Sequence, residues 1–445
     1  MPSQGTIGDR VRGLRLNRRM SQAQLAGPDL SDSYVSLIES GKRTPTPVVA
    51  RLLAERLGCT TEFLLHGIEP RQRIDTELGL RHAELELRHG DPASAAERFT
   101  EIVKAADEEN AMLTAQARFG RARALEAQGR LGQAVEAFER LRREAAAHPE
   151  RLADLPLTVA LSRCYQRAGD RLRARDLAAH ALKQASRLSI VQGELAIDLA
   201  AVLIETQGEG DSAALTYVRQ TLEVSGVPQV MDRSGEVRAL WLASTAAAGG
   251  EDSALAVRLA EDAIMAGRPM RVACRLATIA MRWAKLASSP VEEADALAEA
   301  ATRVFAALPG MGSRHGESLT AHAHVRLRAD DLVKAGEYAT RALEVLDGSP
   351  LAAEASLVLA KVKLRLGADA VPHLDGTRDL LAALPRPAYG TDRQAARAWR
   401  ELGDLYGEVN APEQQTVAYR RALESAGVRS AMAGVSVHTR SSHGS

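Results

Sequence analysis

Apolar residues recur at helical spacing along most of the chain, the pattern of amphipathic helices that each bury one stripe. Ile7, Val11 and Leu14 mark a first helix, with Arg10, Arg12, Arg15, Arg18 and Arg19 around them. Ser21 stands as the cap of a short second helix, Gln22-Ala23-Gln24-Leu25-Ala26, which Gly27-Pro28-Asp29 breaks. Ser31 caps a third helix that runs from Asp32 through Glu39 to Ser40, and Gly41 is placed to end it in a left-handed conformation. Val49, Leu52, Leu53 and Leu57 mark a fourth helix, and Phe63, Leu64 and Leu65 close a fifth. Five short helices with a tight turn between the second and third form a geometry that can place one helix in a major groove.

Beyond residue 75 the pattern changes to long helices with punctuation. Turn signals stand at Gly90-Asp91, Gly129-Arg130, Gly169-Asp170, Gly208-Glu209-Gly210, Gly249-Gly250, Ser288-Ser289-Pro290, Ala329-Asp330-Asp331, Gly367-Ala368 and Asn410-Ala411-Pro412. They recur about every 40 residues and each separates two helical stretches, which predicts nine helix pairs. A fixed period in this range is the mark of a solenoid, in which each pair buries its apolar face against its neighbours. The last unit resembles a tetratricopeptide (TPR) repeat, through Trp399-x-x-Leu402-Gly403-x-x-Tyr406 followed by Tyr419 and Ala422. The 40-residue spacing exceeds the usual TPR length of about 34, and HEAT-like pairs are the second architecture it fits. The predicted organisation is all-α: a helix-turn-helix domain over 1–67, a linker over 68–74, a TPR-like α-solenoid over 75–428 and a Ser/Gly-rich disordered tail over 429–445.

Composition agrees with this. Aromatics are only 3% of 445 residues, which deprives strands of residues they favour. The net charge is zero, yet residues 1–67 hold nine Lys or Arg against six Asp or Glu, a net of +3 that suits contact with phosphates. Cys59, Cys164 and Cys274 lack any disulfide or metal-ligand spacing, so reduced cytoplasmic thiols are expected, with no metal and no cofactor. No run approaches the length of a membrane span. There is no P-loop, dinucleotide fingerprint, HExxH or GxSxG, and no enzymatic activity is expected.

The string Leu14-Arg15-x-x-Arg18-x-x-Ser21-Gln22-x-x-Leu25-Ala26, then Ser31-x-Ser33-Tyr34-Val35-Ser36-x-Ile38-Glu39-x-Gly41-Lys42-Arg43-x-Pro45, resembles the Xre/Cro family of phage-repressor-like domains. Its turn, Gly27-Pro28-Asp29-Leu30, is about one residue shorter than the family's. The resemblance implies a transcriptional regulator binding double-stranded DNA. It places Gln22 and Ser31, at the starts of helices two and three, among the DNA-binding residues, with Gln22 on a phosphate. Asp32, Ser33, Ser36 and Leu37 would meet base edges, and Lys42 and Arg43 would grip phosphates. Tyr34 either reaches a phosphate through its hydroxyl or packs its ring. Arg15 and Glu39 pair between helices, the plainer reading being two solvated charges.

In TPR register, the first helix of each pair faces a concave groove. That aims Arg123, Arg163, Arg167, Arg282, His324, Arg328, Lys361 and Arg365 inward, a basic lining that fits either a solvated surface or a site for an anionic ligand. An Xre-like domain joined to TPR repeats resembles the peptide-sensing quorum regulators of Gram-positive bacteria, which implies a signalling-peptide ligand and a homodimer. Those regulators hold peptide with groove asparagines, whereas Asn110 and Asn410 are the only ones in this region. A protein-interaction scaffold tethered to DNA is the alternative reading.

Overall fold

The computed structural model describes residues 6–66, 70–105, 111–147, 152–206, 211–250, 252–347, 349, 351–383 and 393–427. Among them the chain forms twenty-two helices and no strand. The expected turn at 208–210 and tail at 429–445 lie outside these residues.

Five short helices come first: α1 (Ile7–Asn17), α2 (Gln22–Ala26), α3 (Asp32–Glu39), α4 (Pro47–Arg56) and α5 (Thr61–His66). Their boundaries follow their caps. Ser21 accepts from the Gln24 amide while the Gln24 side chain accepts from the Ser21 amide, a complete capping box that starts α2. Ser31 accepts from the Tyr34 amide at the start of α3, and Gly41 turns the chain with φ +71° just beyond its end. Val11, Leu25, Val35, Ile38, Leu53, Leu57 and Leu64 are fully buried and form one core. At Gly8 the backbones of α1 and α3 approach so closely that a Cβ would lie 2.4 Å from the Ile38 carbonyl oxygen.

The array follows as α6 (Pro70–His89), α7 (Pro92–Ala105), α8 (Ala111–Ala127), α9 (Leu131–Ala147), α10 (Asp154–Arg167), α11 (Arg171–Arg187), α12 (Glu194–Thr206) and α13 (Ser212–Ser225). It continues with α14 (Ser234–Gly249), α15 (Ser253–Ala284), α16 (Val291–Ala307), α17 (Gly312–Arg328), α18 (Leu332–Leu346), α19 (Ala352–Arg365), α20 (Val371–Ala382), α21 (Arg393–Glu408) and α22 (Pro412–Ser425). Pro70, at a position where a helix tolerates a missing N–H, already opens α6 inside the stretch expected as linker.

Small residues let the paired helices close. Ala174, Ala178, Ala181 and Ala185 form a buried stripe on α11, and Ser162 Oγ donates to the Ala174 carbonyl at 2.6 Å. Ser244 repeats that bond to Ala256 at 2.7 Å, again twelve residues on. In the last pair Trp399, Leu402 and Tyr406 are buried as the TPR pattern requires, and Gly403 admits the Tyr419 ring, which a Cβ would meet at 2.6 Å.

Two features depart from a plain series of pairs. First, α15 is one helix of 32 residues with Pro269 inside it, where a turn between the fifth and sixth pairs was expected. Its buried stripe, Ala263, Ala266, Met270, Ala273 and Ala277, runs past the proline without a break. That burial offsets a defect of roughly 3 kcal/mol. Second, the chain forms two compact units, one of residues 1–160 with 233–267, the other of 161–232 with 268–445. In the first unit α6 meets the helix pair 234–267. Arg81 pairs with Glu261 at 3.1 Å, His82 bonds to Ser244 at 2.8 Å and Ser253 Oγ donates to Asp75 at 2.6 Å. These partners lie 162 to 180 residues apart, so packing here is not confined to successive pairs.

Four array histidines are held below the ordinary imidazole value, chiefly by burial: His82, His315, His322 and His324. His322 donates from Nε2 to Asp295 at 2.9 Å and stacks on Tyr338; the carboxylate opposes the effect of burial without cancelling it. At His324, burial and then Lys285 bring the value to about 4. The folded state therefore favours neutral rings. Stability is complete above the unfolded value of about 6.5 and falls as pH drops through the folded values. The circular-dichroism melting midpoint is expected to be lower at pH 5 than at pH 7.5, with a smaller difference in His324→Gln; equal midpoints would contradict this account. A Gly8→Ala variant is expected to destabilise the amino-terminal domain by about 1–3 kcal/mol, because the obstacle is backbone. Hydrogen exchange of α1 and α3 reads it.

Candidate functional site

The third helix divides sharply into two faces. Val35, Ile38 and Glu39 are buried, whereas Asp32, Ser33, Ser36 and Leu37 are exposed. The buried face carries a charge. Arg15 donates from Nε and Nη2 to the two Glu39 oxygens at 2.5 and 2.9 Å, and from Nη1 to the Met20 carbonyl at 2.9 Å. Their side chains are only 11% and 4% exposed, so this is a two-pronged buried pair rather than two solvated charges. Burial works against the Glu39 charge, but the hydrogen bonds from Arg15 and then Gln22 outweigh it, and its carboxyl lies below the usual range.

Gln22, expected on a phosphate, also has a partner within the domain. Its side-chain amide turns inward and donates to Glu39 at 2.8 Å, so it ties α2 to α3. Ser31 serves as the cap of α3. Lys42 and Arg43 are exposed. Tyr34 is half-buried, packs against the domain core and lies beneath the Arg43 guanidinium, 4.9 Å from its ring centroid.

Sequence reasoning missed the arginines that close the domain. Arg56 on α4 donates to the Leu25 carbonyl at 3.1 Å and also to the Ala26 carbonyl and the Asp29 carboxylate. It thereby fixes the turn between α2 and α3. Arg10 donates to the Leu64 and Leu65 carbonyls at 3.0 and 2.7 Å. The only sequence signal for either role was the four unbonded carbonyls that every helix end presents. Arg12, Arg18, Arg19, Lys42, Arg43 and Arg51 remain as exposed cationic side chains of the domain, Arg18 also donating to the Gly58 carbonyl.

The residues read as a basic groove are distributed between the units. In the first unit, Arg123 pairs with Glu84 at 3.0 Å. In the second, Arg163 is half-buried and Arg167 exposed on α10. Arg282 pairs with Glu205 and Lys361 with Glu401, and the same ladder includes Arg275 with Asp198 at 2.8 Å and Lys285 with Glu354 at 2.5 Å. His324 is half-buried beside Lys285, Lys361 and Arg328. Arg328 donates to the Leu286 and Ser289 carbonyls beyond the end of α15, and Arg365 to the Leu327 carbonyl of α17 at 3.3 Å and Asp330 at 3.2 Å. At Arg123, Arg282, Lys361 and Arg365 the expected basic lining is therefore paired with carboxylates. An open groove of about 820 Å³ lies elsewhere in this unit, lined by Leu182, Lys183 and Arg187 of α11 and by Thr216, Tyr217 and Gln220 of α13. Among the described residues there is no cluster able to hold a metal ion and no helix long and apolar enough to cross a membrane.

This arrangement defines the amino-terminal domain as a helix-turn-helix domain of the Xre-like type, and residues 11–64 match the family model described as helix-turn-helix. The chain thus carries an amino-terminal domain of a DNA-binding type. None of the curated proteins is significantly similar to it. Among solved structures it is similar to Bacillus thuringiensis PlcR in complex with the peptide PapR7 and DNA, at 10% identity over 93% of this chain and 98% of that one, with a TM-score of 0.30. It is also similar to the apo form of RapI (14% identity; 88% and 95% covered; TM-score 0.42). The apo quorum sensor NprR from B. thuringiensis is a third (12% identity; 79% and 98% covered; TM-score 0.35). Likenesses this slight carry no functional argument.

A double-mutant cycle tests the buried pair. Arg15→Met and Glu39→Gln are each expected to cost about 3 kcal/mol, because either leaves a buried group uncompensated, and the double variant less than their sum. Hydrogen exchange of α3 in the full chain reads the three values, and simple additivity would mean independent charges.

Proposed function

We propose that the chain is a homodimeric transcriptional regulator that reads double-stranded DNA with α3 and responds to an anionic ligand or peptide through its helical array. The observation that carries the first part is the exposed face of Asp32, Ser33, Ser36 and Leu37 on a helix whose other side is locked by Arg15, Glu39 and Gln22. In a major groove Asp32 can accept from cytosine N4, the serines can bond to several base edges, and Leu37 can touch a thymine methyl. Lys42 and Arg43 lie beside this face in sequence and supply phosphate contacts.

The second part rests on the inner-face charges. Arg163, Arg167, Arg282, His324, Arg328, Lys361 and Arg365 would form the ligand-responsive surface of the second unit. A ligand carboxylate competing with Glu205 for Arg282, or with Glu401 for Lys361, would exchange a bond between two helices for a bond to itself. Such an exchange shifts an equilibrium only by the ligand's differential affinity, typically about 1–3 kcal/mol.

Selection of duplexes from a random library by the full chain tests the DNA reading. A two-fold symmetric site with half-sites about one helical turn apart is expected, and failure to enrich any sequence would refute it. On the selected site, Ser33→Ala with Ser36→Ala should lower affinity roughly tenfold while leaving random-sequence binding nearly unchanged. With three to five phosphates contacted per monomer, log K should fall against log salt with a slope of about −3 to −4.5 per monomer.

A further inference from the structure

We infer that Tyr34 is a positioning residue that acts on DNA through Arg43, holding its guanidinium beside the exposed face of α3. This rests on the reading of α3 as the DNA-facing helix. Tyr34 and Phe63 are the only aromatic residues among the first 67, and the Tyr34 ring lies under a cation at 4.9 Å. Both partners are fixed in other ways. The Tyr34 amide donates to the Ser31 cap at 3.1 Å and its ring packs on the core, so the platform is rigid. Gly41, with φ +71°, turns the chain back over the end of α3. There the Lys42 and Arg43 amides both donate to the Leu37 carbonyl, at 3.0 and 3.2 Å.

Backbone anchoring fixes where the Arg43 side chain starts, and the ring limits where it ends. An exposed arginine otherwise has to surrender most of its rotamer freedom when it meets a phosphate. Stacking uses the guanidinium face and leaves its N–H edge free for an oxyanion. The ring therefore prepares the contact before DNA arrives. This differs from a phosphate contact made by the Tyr34 hydroxyl, because removal of the hydroxyl leaves the stack intact.

The test uses the full chain and a labelled 30-base-pair duplex of random sequence. Arg43→Ala should weaken binding and make the salt slope shallower by about 0.9. Tyr34→Phe should bind as the parent does, and Tyr34→Leu roughly two- to fivefold more weakly. In an Arg43→Ala background, Tyr34→Leu should have no further effect. Tyr34→Trp, which keeps an aromatic face without emptying the core, should match or exceed the parent and guards against simple loss of packing. The inference is overturned if Tyr34→Phe is as weak as Tyr34→Leu, if Tyr34→Leu acts equally with and without Arg43, or if Tyr34→Trp loses affinity. A parent chain that fails to bind any duplex sinks the DNA reading itself, and this inference with it.

Discussion

A chain of many helices ends each one in carbonyls that lack partners within the helix, and here arginines from neighbouring helices supply several of them. Arg10 closes α5, Arg56 closes α2, Arg365 closes α17, and Arg328 closes the segment after α15. The guanidinium suits this work because its donors lie in a rigid fork and can meet two or three oxygens at once. With 57 Lys and Arg in the chain, abundance of positive charge is thus a poor guide to function. A cation that seals a helix end is not available to a phosphate or a ligand.

The same competition shapes both surfaces considered for binding. In the amino-terminal domain, Arg10, Arg15 and Arg56 are engaged internally. What faces outward is Arg12, Arg18, Arg19, Lys42, Arg43 and Arg51, of which Lys42 and Arg43 lie in the loop after α3. In the second unit, acids on other helices pair with Arg282, Lys361, Lys285 and Arg275, through Glu205, Glu401, Glu354 and Asp198. Helices paired this way are joined by bonds that another anion can exchange, which a purely hydrophobic seam does not offer.

Much of this was legible in the sequence because it depends on local chemistry. Ser21, Ser31 and Gly41 mark helix ends by forming specific hydrogen bonds or by tolerating a positive φ, and the structure uses them so. The repeat pairs were legible for the same reason, from the turn residues between them. What escaped depends on partners distant in the chain. Glu205 lies 77 residues from Arg282, about two repeat lengths, and the turn spacing does not say which side chains meet at that distance. The inward turn of Gln22 follows from the exact reach of Glu39, which the motif alone does not state. The continuity of α15 was hidden because Pro269 is a breaker by propensity, and only the unbroken buried stripe on either side shows why it does not break this helix.

The contacts of α6 with the helix pair 234–267 bear on how the protein is made. A ribosome adds about 5–20 residues per second, and Glu261 follows Arg81 by 180 residues. For roughly 10–40 s of synthesis, then, the side of α6 that meets this pair has no partner from its own chain. An array closed only between successive pairs would seal each face almost as soon as it emerged. Here the first helix of the array must wait for the fifth pair, so a nascent chain truncated before residue 233 would leave that surface open to chaperones or to other chains.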